Sequence, residues 1–430
     1  MTNHLPQDAA ENSLWGATAI ANPVSRQLQE SLQADVLIVG GGYTGLSSAL
    51  HLAAKGVAVV LLEARSIGFD ASGRNSGLVN AGIWQTPEHV RKQLGEEAAV
   101  RFNLALRDSP ALVAELVSRY GMACDLQQTG TVNIAHSAAA MKYLEDRCRQ
   151  IKELGSAVEL IDGETASALS VSPVYRHGGI LDPAASTIHP LNYARSLAQA
   201  ALGLGARLFQ ESGVEGLTRQ NDRWLATTAL GQVSAEQVIV ATNAYADPNS
   251  PQVRASTVPL FIFHCASEPL AADVAAGIIP KRQGIWDTQT LLTSSRIDAG
   301  GRLVMSSVGR LRGWQRAIRE NWMTRSRDWL YPQTRGLEWD YRWSGQIGIT
   351  SNKILRVQLL APGIFAPAGY NGRGIGTGSV IGKHLAETIV SGNREDFPFP
   401  IEALYREKRR GLRAAYYNYG SLALQFLQRR

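Results

Sequence analysis

The sequence has 430 residues, 45% hydrophobic and 19% charged, a globular composition in a chain too long for one ordinary core, so two lobes are expected. Lysine and arginine (43) exceed aspartate and glutamate (37), but the excess is scattered rather than gathered into a basic stripe, which argues against nucleic acid and leaves room for an anionic ligand. Three cysteines, Cys124, Cys148 and Cys265, with no CxxC pair, exclude a disulfide framework or a structural zinc site, and no metal is expected. No lysine or arginine precedes Arg26 and no secretory pattern is visible, while the longest apolar runs, such as 57–62, fall far short of the ~20 residues that span a bilayer. A reduced, cytoplasmic setting without a transmembrane segment is the expectation.

Up to about Leu32 the chain is polar and irregular, broken at Asn22-Pro23, and reads as an arm lying on the first lobe. Residues 35–39 then form a buried-type strand, 40–45 a glycine turn, 44–55 a helix stopped by Gly56, and 57–62 a second buried strand: a βαβ unit. A Gly/Ser-rich turn at 71–77 is followed by helical periodicity through about 87–120. A strand at 130–135 precedes a charged helix at 141–154; a helix at 194–204 leads into short strands near 207–209 and 224–228 and the run 237–242. Residues 256–343 alternate strand patterns with turns and read as a mainly antiparallel sheet. A last strand, 364–368, opens a second glycine turn, 369–378, and a helix, 379–390. The fold class is therefore α/β (α+β): a discontinuous Rossmann-like cofactor lobe (1–90, 161–250 and 346–430, ending in a C-terminal helix) interrupted by an antiparallel-sheet substrate lobe (91–160 and 251–345).

Gly40-Gly41-Gly42-Tyr43-Thr44-Gly45 matches GxGxxG, a weak pattern alone. Here it follows a strand, opens a helix, and has Glu63 at the end of the next strand, which makes it a dinucleotide site. Gly40 permits the tight turn, Gly42 admits a pyrophosphate to the backbone, Gly45 allows close helix–strand packing, and the helix N-terminus offers free N–H groups. Glu63 suits both ribose hydroxyls and would repel a 2′-phosphate, so NADP is disfavoured; this unit alone does not separate FAD from NAD. In the next turn Ser72, Gly73, Arg74, Asn75, Ser76, Gly77 and Leu78 combine small residues with donors, as a flat ring requires. A plain NAD lobe has no use for it. The late cluster Gly369, Tyr370, Asn371, Gly372, Arg373, Gly374 and Ile375 again joins strand to helix, where a helix dipole could stabilise negative charge on a reduced isoalloxazine.

These pieces resemble the FAD-dependent D-amino acid oxidase superfamily, over nearly the whole chain from about Leu14. The specific elements are the first glycine motif with Glu63-Ala64-Arg65, the turn from Gly68 to Asn75, the run Val238 to Tyr245, and the run Gly369 to Ile375; within the superfamily, the stretch Ser72 to Trp84 and Trp286-Asp287-Thr288 look like the bacterial L-pipecolate oxidase branch. The resemblance implies non-covalent FAD held by these residues together with Val214 and Ala241. It also implies hydride transfer from the carbon beside nitrogen of a small amine or amino acid, and reoxidation by O2 or a quinone. No acid or base is required by that chemistry, so no catalytic side chain is assigned. The resemblance implies carboxylate-clamping positions that hold Ile347, Val79 and Gly376 here, so either the substrate has no carboxylate beside the reacting nitrogen or another cation holds it, with Arg310 and Arg296 as candidates.

Trp84, His264, Trp286 and Trp343 are expected to wall the substrate pocket with Arg310 at its mouth. Secondary cyclic amino acids such as L-pipecolate are the leading substrate class, with γ-glutamylputrescine or a related polyamine derivative as the alternative. Outside this class stand an NAD-dependent dehydrogenase and a flavin-binding subunit active only within a complex. The segment 409–430 places Leu412, Tyr416, Tyr419, Ala423 and Phe426 on one helical face; docking on the protein itself or on a sister subunit is expected ahead of peripheral contact with anionic lipid. The oligomeric state is left open.

Overall fold

The structure is a computed structural model that describes residues 13–246 and 250–428; the first twelve residues of the N-terminal arm lie outside it. The apolar β-branched run predicted from 35 extends back to form the strand Ser31–Val39, whose last residues are buried on both faces. It runs parallel to Val59–Leu62 on one side and to Gln232–Val240 on the other, at the centre of a nine-stranded sheet. Ile364–Ala368 and Arg356–Ala361 continue the sheet beyond Gln232–Val240, and Arg207–Phe209 closes the other edge. The helices Tyr43–Ala53, Pro190–Gly203 and Gly374–Ser391 cover one face and share one apolar core with it. Where the first and last of these cross, Gly378 and Gly382 bring the backbones together, and Ser47 Oγ donates to the Ser379 carbonyl at 2.7 Å. This crossing places the two glycine turns, more than 300 residues apart in sequence, side by side.

The second sheet has eight strands, with Val258–Pro269 between Trp339–Ile349 and Arg302–Val308, then Thr293–Ile297, Gly284–Asp287, Thr131–Ile134, Gly179–Asp182 and Glu159–Ile161. It is antiparallel except where Gly284–Asp287 runs parallel to Thr131–Ile134. Strand alternation gives it two faces. Phe263, Cys265 and Met305 pack against Trp322 and Met323 of the helix Gln315–Leu330, while Leu260, Ile262 and His264 face the other way, toward the first lobe.

Several segments depart from the sequence expectation. Helix Gln315–Leu330 interrupts the stretch read as continuous sheet; its buried arginines, Arg319 and Arg327, mask the apolar periodicity. Gly179–Asp182 pairs with Thr131–Ile134, so part of the 161–250 segment assigned to the cofactor lobe belongs to the substrate sheet, and Trp339–Ile349 carries that sheet past 345. Conversely the helices Pro87–Leu94, Glu96–Arg107 and Ser109–Arg119, of which all but the start fell in the 91–160 substrate segment, bury Val90, Phe102, Leu106 and Leu116 in the first lobe's core. Segments 1–90 and 346–430 behave as a unit only in part, because the C-terminal helix Arg410–Leu427 docks on Gln315–Leu330 and Val258–Pro269. The arm is not confined to the first lobe either. Leu14 and Trp15 are buried against Ala266, Val304 and Trp343 of the second sheet as well as Leu191.

Candidate functional site

A cavity of about 450 Å³ runs from the carboxyl ends of Ser31–Val39 and Gln232–Val240 across to the inner face of the second sheet. That is the edge at which open α/β sheets bind their ligands. Gly40, Gly42, Tyr43, Thr44, Glu63, Ala64, Val214 and Ala241 line one end. Gly45 lies behind it: a Cβ there would stand 2.0 Å from the Gly40 carbonyl, so the residue serves packing, as expected of the third motif glycine. Glu63 accepts the Gly41 N–H at 2.6 Å and the Arg65 N–H at 2.8 Å, which fixes its carboxylate at the cavity wall. Burial pushes its pKa up and these two donors oppose that. Arg65 itself points away, over the Phe69 ring and toward Asp70.

The middle of the cavity is framed by the two glycine turns. Ser72 Oγ accepts the Tyr43 N–H at 3.1 Å, and Tyr43 donates to the carbonyls of Ser72 and Pro190. Asn75 Nδ2 donates to the Ala71 and Ser72 carbonyls while its Oδ1 accepts the Gly77 N–H. Arg74 donates through Nε to the Phe69 carbonyl at 2.7 Å. The polar side chains Arg74 and Asn75, read from sequence as donors to a ring, are thus largely spent on shaping the turn. Gly73 and Gly77 lie outside the lining, whereas Ser72, Arg74, Asn75, Ser76 and Leu78 belong to it. From the late turn Tyr370, Asn371, Gly372, Arg373, Gly374 and Ile375 line the cavity and Gly369 does not. Tyr370 and Thr44 share a hydrogen bond at 2.6 Å, and Asn371 Oδ1 accepts the Thr350 N–H. Both helices that start here, Tyr43–Ala53 and Gly374–Ser391, begin at the cavity, so both positive ends open on it; the N-caps Gly42 and Arg373 make no side-chain capping bond, and at the first helix Ser72 Oγ takes the Tyr43 N–H.

At the far end the chamber is walled by Leu260, Ile262, Leu292, Val308, Ile347 and Trp84, with Ser294 and Ser306 as hydroxyls. His264 is 2% exposed, shares a 2.6 Å hydrogen bond with Ser306, and stacks on Trp343 with ring centroids 5.0 Å apart. Burial, with the Arg74 charge second, pushes it down to about 3, so it is neutral at physiological pH. Trp84 and Trp286 meet edge to face at 4.8 Å, and the guanidinium of Arg373 lies 4.7 and 4.9 Å from their ring centroids.

Three expectations are corrected. Trp343 does not line the chamber; it backs His264, donating to the Arg74 carbonyl and packing on Trp15. Arg310 is not at the mouth, because it follows the turn at Gly309 and lies over Phe261, on the side of its strand opposite Leu260 and Ile262. Arg296 is equally remote, buried against the Gly77 and Ile188 carbonyls. Among the described residues Arg74, Lys353 and Arg373 line the chamber, and Arg373 does so with Nε and Nη2 buried and without a partner. Sequence reading had placed it among cofactor contacts because it sits in the glycine run. Ser306, Ser294 and Ile262 were missed: strand alternation marks them only once the inner face is known.

The site defines a two-lobed oxidoreductase in which a dinucleotide cradle opens onto a chamber with an apolar wall on the second sheet. Residues 35–388 match the family of FAD dependent oxidoreductases, and the chain belongs to that family. It is 31% identical over 418 residues to γ-glutamylputrescine oxidoreductase of Escherichia coli K12, covering 95% of this chain and 97% of that one, and 32% identical over 365 residues to the probable oxidoreductase OrdL of Haemophilus influenzae, covering 83% of each. In fold it is similar to glycine oxidase of Geobacillus kaustophilus (TM-score 0.68, 21% identity, 87% of this chain and 99% of that one) and to L-proline dehydrogenase of P. horikoshii (TM-score 0.69, 18% identity, 93% and 100%). The chain is an FAD-dependent oxidoreductase. The residues present fit that cofactor: a side-chain-free cradle at Gly40 to Gly42, an immobilised carboxylate at Glu63, and a second uncapped helix end where the ring would lie. Among the described residues no group of acidic, histidine or cysteine side chains could hold a metal, and no helix is long and apolar enough to cross a membrane.

Proposed function

We propose that the protein oxidises the terminal C–N bond of a γ-glutamylated aliphatic amine, giving an imine that water converts to an aldehyde and ammonia. FAD, when bound, supplies the two-electron acceptor for the hydride leaving the carbon beside nitrogen. The chain's own residues position and desolvate: Leu260, Ile262, Val308 and Ile347 hold an aliphatic chain, and Ser306 with neutral His264 offers hydrogen bonds to an uncharged amine. Holding that amine unprotonated is what permits direct hydride loss.

The observation that carries this reading is the chamber's inner end, apolar and hydroxyl-lined with Ile347 where related oxidases clamp an α-carboxylate. A carboxylate beside a nitrogen held at Ser306 and His264 would be kept away from Arg373, which packs on Trp286 two strands along the sheet, and leaving it unpaired costs several kcal/mol. The relative in Escherichia coli, whose name gives γ-glutamylputrescine as its substrate, agrees with this and moves that class ahead of L-pipecolate. The holoenzyme should bleach its flavin absorbance near 450 nm anaerobically with γ-glutamylputrescine and slowly or not at all with L-pipecolate. Faster bleaching by L-pipecolate overturns the assignment.

A further inference from the structure

Beyond the Trp84–Trp286 wall lies a second, smaller cavity of about 70 Å³, which shares Asn80, Gln85, Trp286 and Arg373 with the chamber. Three arginines line it; Arg107 is spent on the Asp108 carboxylate and the Leu154 carbonyl, whereas Arg373 and Arg147 are buried without such a partner among the described residues. Arg373 is 7% exposed and Arg147 5%. Each is tethered by one nitrogen to a carbonyl of the same loop, Arg373 to Ala81 at 3.2 Å and Arg147 to Ile83 at 3.0 Å. Nε and Nη2 of Arg373 and Nε of Arg147 are buried with no hydrogen-bond partner among the described residues. Among the described residues neither arginine has a carboxylate within ion-pair distance, although Asp182, in the lining of the same small cavity, acts electrostatically on both. Burial and the neighbouring Arg147 push Arg373 down to about 9, which leaves it charged at neutral pH.

Buried charges are ordinarily paired. Here Asp182 is the carboxylate that acts on both arginines, and their unpartnered N–H groups belong to the lining of a cavity whose polar residues include Asn80, Asn103 and Asn133. Asn133 Oδ1, on a residue 5% exposed, is the acceptor counterpart, buried and also without a partner. Two donors of positive charge beside an amide oxygen and a carboxylate form the complement of an amino acid zwitterion.

We propose that this side cavity binds the α-amino acid end of the substrate, the α-carboxylate on Arg373 and Arg147 and the α-ammonium on Asn133 and Asp182. The proposal rests on the reading of the substrate as a γ-glutamylated amine and assigns specificity to a place away from the reacting bond. Contact of the Arg373 guanidinium with both the Trp84 and Trp286 rings restrains it before substrate arrives, and the planar fork suits a carboxylate.

The test uses the holoenzyme and two probes without a terminal amine, γ-N-butyl-L-glutamine and its α-methyl ester, with binding followed by perturbation of the flavin absorbance and of tryptophan fluorescence. The acid should bind ~10²-fold more tightly than the ester, the effect of losing a charge-assisted contact. In parallel, Arg147→Met and Arg147→Lys should each lower the ratio of kcat/KM for γ-glutamylputrescine to that for putrescine, Met by ~10²-fold and Lys by less. Equal binding of acid and ester, or an unchanged ratio in folded Arg147 variants, overturns the proposal and leaves the oxidation of γ-glutamylputrescine standing. A wild type that oxidises neither amine but still prefers the acid supports the cavity and removes the proposed reaction.

Discussion

At the scale of single residues, Gly42 and His264 carry opposite kinds of necessity. A Cβ at Gly42 would meet Ser72 Oγ at 2.9 Å, and that hydroxyl holds the Tyr43 N–H at the mouth of the helix. Gly42→Val should therefore displace the cap and fill the cradle together. The expected outcome is a folded protein that purifies with less than about a tenth of its flavin; full flavin content in a folded variant would place the pyrophosphate elsewhere. His264 matters through its charge. Its folded pKa of about 3 lies below the ~6.5 of an unfolded histidine, so between those values the unfolded chain binds the extra proton. Its contribution to stability is complete above pH 6.5 and declines as the pH falls, by about 2 kcal/mol between 6.5 and 5. Asp70, pushed up to about 7 by burial, works in the opposite sense. The histidine part is thus read as a difference: the Tm of His264→Gln should fall less than that of the wild type between pH 7 and 5. Because His264 stays neutral, the acid limb of kcat/KM should belong to the substrate amine and be shared by the variant.

At the scale of elements, the C-terminal helix Arg410–Leu427 shows what pattern reading can and cannot reach. Its amphipathic stripe predicted docking, and the helix does dock on the protein's own second lobe; Leu412, Tyr416 and Phe426 of that stripe nevertheless remain exposed. The contact is made by the other side. Arg319, fully buried, donates to the Asn418 carbonyl at 3.0 Å and to Gln425 Oε1 at 2.5 Å, and Gln425 Nε2 donates to the Val308 carbonyl. Polar networks of this kind leave no periodicity, which is also why helix Gln315–Leu330 was unreadable. The βαβ unit was legible because its glycines, buried strands and terminal Glu63 fall at fixed spacing along 30 residues. Arg310 was misplaced because strand order alone does not give the side of the sheet. Gln425→Leu should leave Arg319 without its side-chain acceptor and lower stability by about 3 kcal/mol. Chemical denaturation measures it; a shift under 0.5 kcal/mol would mean the helix is not held by this network.

At the scale of the whole molecule, the cavity is bounded by both sheets, so a ligand spanning it ties the lobes together. The thiols Cys124, Cys148 and Cys265 are all buried and none lines the cavity. His264, the histidine on its wall, already shares one ring nitrogen with Ser306. Among the described residues no thiol lines the cavity to take up the flavin covalently, and acid precipitation should release the yellow colour to the supernatant; colour retained in the pellet would contradict this. Reversible binding then makes stability depend on FAD by mass action. Free FAD at a thousandfold its Kd should stabilise the folded chain by about 4 kcal/mol, since the unfolded chain has no cradle to offer. The gain should appear as one cooperative transition moved upward, because the Thr44–Tyr370 bond and the crossing of helices Tyr43–Ala53 and Gly374–Ser391 join the chain's two ends around the site. Scanning calorimetry of apo and FAD-saturated protein distinguishes this from independent lobes. Two transitions of which FAD moves only one would show that the second sheet melts without sensing the cofactor, and that the chamber wall is not clamped by it.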